Sequence, residues 1–97
     1  MTEYVQRAET LMRELRDLRS VENRTISDIV KDLSEMDRDG LFREAGYSSL
    51  FALCRGIGYS EGASMRRIQA ARCMTRHPEV YDMLRDGTLT LCSISEL

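Results

Sequence analysis

Residues 48–76 read SSLFALCRGIGYSEGASMRRIQAARCMTR, and this stretch decides the fold that the sequence predicts. Ser48 or Ser49 can cap a short helix, and a turn containing glycine follows that helix. Ser60 is placed to cap a longer helix over about 61–75, with an acidic residue in its first turn. Two helices joined by a short turn with glycine form a helix-turn-helix pattern, so we expect this motif at the centre of the chain.

The second helix of this pattern carries side chains suited to nucleic acid. Arg66, Gln69 and Arg76 follow steps of three and four residues through Cys73, so they share one helix face. Arginine reads guanine and glutamine reads adenine in the major groove, while a capped helix N-terminus binds phosphate. The candidate DNA-contacting residues are Ser60, Arg66, Arg67, Gln69, Arg72, Arg55 and Arg76.

The spacing of the turn departs from the usual pattern. In helix-turn-helix units the first core position of the second helix falls six residues after the turn glycine. Counted from Gly58, that position is Ser64, and the large apolar residue is Met65. Two interpretations stay open: an irregular turn, or a plain helix pair in a bundle whose arginines are merely solvated.

Upstream, the sequence predicts a helical hairpin over residues 1–45. The first helix covers about 3–19, Ser20 to Asn23 break it, and a capping box from Thr25 to Asp28 opens a second helix to about 44. The apolar stripe of the first helix is either packed on the second helix or used for homodimerisation. The candidate dimerisation residues are Tyr4, Ala8, Leu11, Leu15 and Leu18.

Downstream, two more short helices are predicted. Pro78 suits the first turn of a fifth helix that stops at Asp86 and Gly87. A sixth element follows, capped by Thr90 or Ser93. Its apolar residues Leu91, Ile94 and Leu97 have little left to pack against. We therefore expect either a piece of a longer protein or docking of this end on a protein partner.

Composition sets the class of protein. The chain has 97 residues with 42% hydrophobic and 31% charged residues, one proline, and no strand-like run. This fits a single all-α domain, residues 1–97, of five or six helices. No apolar run approaches the ~18 residues of a membrane span, and the first residues lack a signal peptide. We therefore expect a cytoplasmic protein without a membrane partner.

Charge is unevenly distributed along the chain. The net charge is −2 overall, but residues 42–77 hold six arginines against two glutamates, giving +4. The segments 1–41 and 78–97 are each −3. A basic centre between acidic flanks bears on partners rather than on fold. The basic centre favours DNA, and the acidic flanks favour a protein partner.

Catalytic signals are weak. Cys54, Cys73 and Cys92, spaced nineteen apart, fit no disulfide framework and no zinc pattern, and are expected to be buried thiols. His77 is the one histidine. The turn at Gly56 lacks the third glycine and the lysine of a phosphate loop. We therefore expect a non-catalytic chain with no cofactor and no metal.

Part of the chain also resembles a known family. The strings that carry the resemblance are Gly46-Tyr47-Ser48-Ser49-Leu50-Phe51, Gly58-Tyr59-Ser60-Glu61-Gly62-Ala63, Arg66-Arg67-Ile68-Gln69-Ala70-Ala71-Arg72 and Pro78-Glu79-Val80. From Leu41 onward, about 57 of 97 residues, the chain resembles the helical region that precedes the nuclease module in bacterial HNH endonuclease-like proteins. The segment from Gly58 to Leu91 is more weakly similar to the helix-turn-helix of ParB-type partition proteins.

The resemblance implies a DNA-associated helical module in a bacterial protein. It implies no catalysis, because the His-Asn-His metal site of the family has no counterpart in this sequence. The function expected from residues and resemblance together is double-stranded DNA binding, with homodimerisation. The alternative is a protein-interaction or dimerisation module that makes no contact with nucleic acid.

Overall fold

The computed structural model describes residues 2–95 and contains six helices and no strand within them. The predicted all-α class with five or six helices is confirmed. The helices are α1 (Thr2–Arg38), α2 (Leu41–Glu44), α3 (Leu50–Gly56), α4 (Glu61–Arg76), α5 (Val80–Arg85) and α6 (Leu91–Ser95).

The N-terminal hairpin is wrong, because α1 is one continuous helix of 37 residues. The segment from Ser20 to Asn23 has no glycine or proline, so each residue costs the helix well under about 1 kcal/mol. The predicted capping box does not form. The Thr25 hydroxyl donates to the Val21 carbonyl at 2.8 Å, and the Ser27 hydroxyl donates to the Arg24 carbonyl at 2.8 Å. Both hydroxyls bond backwards inside a continuing helix instead of starting a new one.

The expected continuation of helix to about residue 44 is also wrong. The chain leaves α1 at Arg38 and turns at Gly40, whose φ of 65° lies in the left-handed region. Glycine adopts that conformation without the clash that a Cβ would cause, and it commonly terminates helices. The short helix α2 then begins anew and leads to α3.

The hydrophobic core lies between the C-terminal half of α1 and the four helices α3 to α6. Its buried apolar members are Val30, Leu33, Leu50, Leu53, Cys54, Ile68, Ala70, Ala71, Met74, Val80, Leu84 and Ile94. Polar contacts join α1 to its neighbours. The hydroxyls of Ser34 and Thr75 are 2.7 Å apart, and the Tyr81 hydroxyl donates to an Asp28 carboxylate oxygen at 2.7 Å.

Helix α6 belongs to this core. Ile94 is buried and Leu91 is half-buried against α4, so the prediction that these residues lack packing partners is wrong for both. The closure of the preceding loop explains this. The Leu89 amide donates to the Met83 carbonyl at 3.0 Å, and the Thr90 hydroxyl caps α6 by accepting from the Ser93 amide at 3.1 Å. Leu97 lies outside the described residues.

The first half of α1 has no such neighbours. Every residue from 2 to 22 is exposed, whereas buried and half-buried positions begin at Asn23. We call residues 2–22 the arm and residues 23–95 the body. The longest dimension of the molecule is 58 Å against 26 and 21 Å for the others. A helix of 37 residues is about 55 Å long, so α1 accounts for this elongated shape.

Candidate nucleic-acid interface

Helices α3 and α4 are the two helices of the predicted helix-turn-helix pattern, and four residues join them. The Ser49 hydroxyl accepts from the Ala52 amide at 3.0 Å, and the Ser60 hydroxyl accepts from the Ala63 amide at 3.2 Å. These bonds satisfy amides at the start of each helix, as predicted for both serines. The turn passes through Gly58 with φ of 112°.

The residues that follow the turn glycine differ in burial. Ser64, six residues after Gly58, is 0% exposed, and Met65 is 46% exposed. A small hydroxyl residue therefore occupies the buried position that the predicted pattern gives to a large apolar side chain. Ala70 and Ala71 are also fully buried, so α4 packs against its neighbours with small side chains.

The opposite side of α4 faces solvent and carries most of the predicted contacts. We call this surface the outer face; it consists of Met65, Arg66, Gln69, Arg72 and Arg76, all exposed. Cys73, predicted on the same face, is half-buried at its edge. Sequence reasoning missed Met65, because an apolar residue at this place in a helix-turn-helix reads as core.

Arg72 is the member of the outer face that has an acidic neighbour. Its Nε lies 3.4 Å from a carboxylate oxygen of Asp37 near the end of α1. The Arg72 side chain is 60% exposed, and surface pairs of this kind contribute only about 0–1 kcal/mol. Arg72 can therefore exchange Asp37 for a phosphate at little cost. No sequence pattern indicates this pair, because it joins residues 35 positions apart.

Arg67 does not belong to the outer face. It is half-buried, its Nη1 donates to the Ala63 carbonyl at 3.1 Å, and its guanidinium lies 4.3 Å from the centre of the Tyr59 ring. A stacked arginine of this kind fixes the start of α4 on the preceding turn. Its predicted place among the DNA contacts therefore has no support from the geometry, and its surroundings are those of a packing residue.

Arg55 and Ser60 lie at the N-terminal end of α4. Arg55 is exposed, and its Nη1 donates to the Tyr59 carbonyl at 3.0 Å, which holds it across the turn. Ser60 is exposed, and its oxygen accepts from the helix while its proton is left to donate. Arg55 and Ser60 thus lie at the end of α4 where helix amides favour anions, whereas Arg72 and Arg76 of the outer face lie near the other end.

The predicted dimerisation residues Tyr4, Ala8, Leu11, Leu15 and Leu18 all lie in the arm and are exposed. Packing of this stripe within the chain, one of the two interpretations above, is therefore wrong. Leu15 is 58% exposed and Tyr4 is 71% exposed.

The cysteines and the histidine differ in their surroundings. Burial raises the pKa of the Cys54 thiol, which keeps it protonated and unreactive. Cys73 is half-buried and Cys92 is exposed, so the expectation of buried thiols holds for Cys54 alone. The His77 ring lies 3.6 Å from the Glu79 carboxylate on the surface. Over residues 2–95, no three His, Cys, Asp or Glu side chains are grouped to hold a metal ion.

Comparisons with known proteins return no match among family models, curated proteins or solved structures. Among the described helices, none combines the length and the apolar character needed to cross a membrane.

Proposed function

We propose that this chain is a non-catalytic module that binds double-stranded DNA through the outer face of α4. The observation that supports this most is the composition of that face. Arg66, Arg72, Arg76 and Gln69 are all solvent-facing on the second helix of the predicted helix-turn-helix pattern. Arginine forks suit phosphates and guanine edges, and glutamine suits adenine. The resemblance to the helical region of HNH endonuclease-like proteins points the same way.

The position of each residue along α4 decides whether it is assigned to a phosphate or to a base. Arg72 and Arg76 are assigned to phosphates, while Arg66 and Gln69, nearer the N-terminus of α4, are assigned to base edges, because recognition helices present their N-terminal residues to the groove. Ser60 and Arg55 are assigned to a phosphate at the helix N-terminus. Arg67 is assigned no DNA contact, because it packs on Tyr59 and stabilises the fold.

The test is binding of a fluorescent mixed-sequence duplex, measured by anisotropy at 50 and 200 mM salt. Three arginine–phosphate contacts give a salt slope of about −3, so affinity should fall roughly 40-fold between the two salts. Arg72→Ala and Arg76→Ala should each weaken binding to every sequence alike and lower the slope by about one. Arg13→Ala is the matched control, because Arg13 is exposed on the arm opposite the apolar stripe.

A second candidate is a protein-interaction module that makes no contact with nucleic acid. The observation that favours it is the exposed apolar stripe of the arm, which is larger than scattered surface residues require. The same experiment separates the two functions. If the duplex does not bind at 50 mM salt with protein near its solubility limit, DNA binding is rejected and the interaction module stands.

A further inference from the structure

The arm presents one continuous apolar surface to solvent. Tyr4, Val5, Leu11, Met12 and Leu15 are each between 46% and 71% exposed. The stripe of Tyr4, Ala8, Leu11, Leu15 and Leu18 advances in steps of four and three residues, which is the spacing of a coiled-coil seam, and Val5 and Met12 flank it. Leu15 and Leu33 are eighteen residues apart, which is five helical turns, so they lie on the same side of α1. In the body this side is covered by α4; in the arm it is bare.

We propose that the stripe pairs with the arm of a second copy of this chain. The two helices run antiparallel, and the residue numbers of each facing pair in the seam add up to 19. In this register Leu15 of one copy packs on Tyr4 of the other, and Leu11 packs on Ala8. On one flank of the seam, Val5 of one copy packs on Met12 of the other. Each of the five exposed side chains above is thereby covered, and each contact occurs twice because the pair is two-fold symmetric.

Charge complementarity selects this register. On the other flank of the seam, Arg7 of one copy faces Glu14 of the second copy, again twice. Shifting the antiparallel register by one heptad, so that Leu11 faces Leu15, instead brings Glu14 against Glu14. A parallel pair places identical residues opposite each other, including Glu22 against Glu22 in the next layer of the seam. Like charges at such positions oppose pairing.

The extent of the arm selects the same register. Positions summing to 19 place residue 17 of one copy opposite residue 2 of the other, so the paired residues 2–17 all lie before the body, which begins at Asn23. A Cβ on Gly87 would lie 3.0 Å from the Asn23 amide, so the body closes tightly around α1 at that point. The antiparallel pair therefore places the two bodies at opposite ends of the shared arm, where they do not collide.

The size of the contact makes the pair weak and reversible. The overlap of about 16 residues is roughly 24 Å long. Its half-exposed side chains amount to about 400 Å² of apolar area per copy. A total near 800 Å² falls below the size of stable interfaces, so we expect a transient pair that dissociates on dilution.

The experiment is sedimentation equilibrium of the full chain from 5 to 500 µM, with charge variants that leave the core untouched. The wild type should pass from monomer to dimer, and Leu15→Asp should raise the dissociation constant at least tenfold. Arg7→Glu and Glu14→Arg should each raise it about fivefold. An equimolar mixture of these two variants should associate more tightly than either alone, because both flanking pairs become attractive again.

The mixture identifies the orientation. In a parallel pair Glu14 would face Arg19, and mixing Arg7→Glu with Glu14→Arg would leave one arginine pair repulsive. Arg13→Glu, on the opposite side of the arm, is the control and should keep the wild-type constant. A wild type that is monomeric at 500 µM overturns the proposal and leaves the stripe to an unlike protein. Dimerisation without recovery in the mixture overturns the antiparallel register.

Discussion

The two halves of α1 have the same sequence pattern and opposite environments. The arm repeats apolar residues every three or four positions, and so does the second half, yet Leu11 is 54% exposed while Leu33 is 4% exposed. The difference lies in what runs alongside: α4 and α5 cover only the second half. Hydrophobic periodicity thus identifies the apolar side of a helix, but it does not identify what covers that side.

The largest effect that tests this contrast is on stability. Leu33→Ala should lower the free energy of unfolding by about 2–5 kcal/mol, because it opens a cavity in a packed core. Leu11→Ala removes the same atoms from a solvated site and should change it by less than about 0.5 kcal/mol at low micromolar protein. Urea unfolding followed by circular dichroism measures both. Equal losses would show that the arm is packed in solution.

A second prediction joins the arm to DNA binding and rests on both proposals. Helix α4 lies beside the second half of α1, as the Ser34–Thr75 and Asp37–Arg72 contacts show. In the antiparallel pair the two α4 helices are then roughly 75 Å apart along the arm, at about 1.5 Å per residue. At about 3.4 Å per base pair that distance is near 22 base pairs, close to two helical turns of DNA.

A 36-base-pair duplex should therefore bind at least tenfold more tightly than a 12-base-pair duplex, because the second site binds intramolecularly. The comparison is made by anisotropy at protein concentrations where the arm pairs. Leu15→Asp should bind the 12-base-pair duplex with the wild-type affinity. Its affinity for the 36-base-pair duplex should be no higher than for the short one. A length dependence that survives Leu15→Asp would show that the arm has no part in it.

A smaller effect on stability is expected when hydroxyl groups along α1 are removed. Ser34 in the body shares a 2.7 Å hydrogen bond with Thr75, and Thr10 in the arm is exposed. Ser34→Ala should destabilise by about 0.5–1 kcal/mol, since Thr75 keeps its bond to the Ala71 carbonyl. Thr10→Ala should stabilise slightly, because alanine has the higher helix propensity. Urea midpoints measured side by side test the sign of each change.

Local signals predicted the parts of the fold that depend on neighbouring residues. Ser49, Ser60 and Thr90 cap helices as expected, because a cap is decided within three residues. The predicted break at Ser20 to Asn23 is wrong. Weak helix formers were interpreted as the end of a helix, although the segment contains no glycine or proline. A helix continues through such residues when hydroxyls bond backwards and the body holds the rest of it.

The candidate site was predictable only in part, for the same reason. The i, i+3, i+4 pattern placed Arg66, Gln69 and Arg76 correctly on one exposed face. It could not place Arg67, whose position depends on the Tyr59 ring across the turn, nor find Asp37 beside Arg72. Contacts between distant positions arise from packing, and no spacing rule within one helix contains them.

The smallest predicted effect is on how stability changes with pH, and it arises from Cys54 in the body and not from the arm. Burial raises the pKa of the Cys54 thiol above its ordinary value near 9.0, and the charge of Arg67 opposes this only in part. The unfolded chain therefore loses this proton at a lower pH than the folded chain does. Stability from Cys54 is complete below the unfolded pKa and declines as pH rises from about 9 towards the folded pKa.

Thermal unfolding between pH 8 and 10.5 tests this. The wild-type midpoint should fall with pH more steeply than that of Cys54→Ala, which is less stable throughout because of its small cavity. Cys73→Ala retains Cys54 and should keep the wild-type slope. All other titratable groups are shared by the wild type and Cys54→Ala, so the difference in slope between these two proteins isolates Cys54. Parallel curves for wild type and Cys54→Ala would mean that water reaches Cys54, and that the body around α4 opens far more readily than its packing implies.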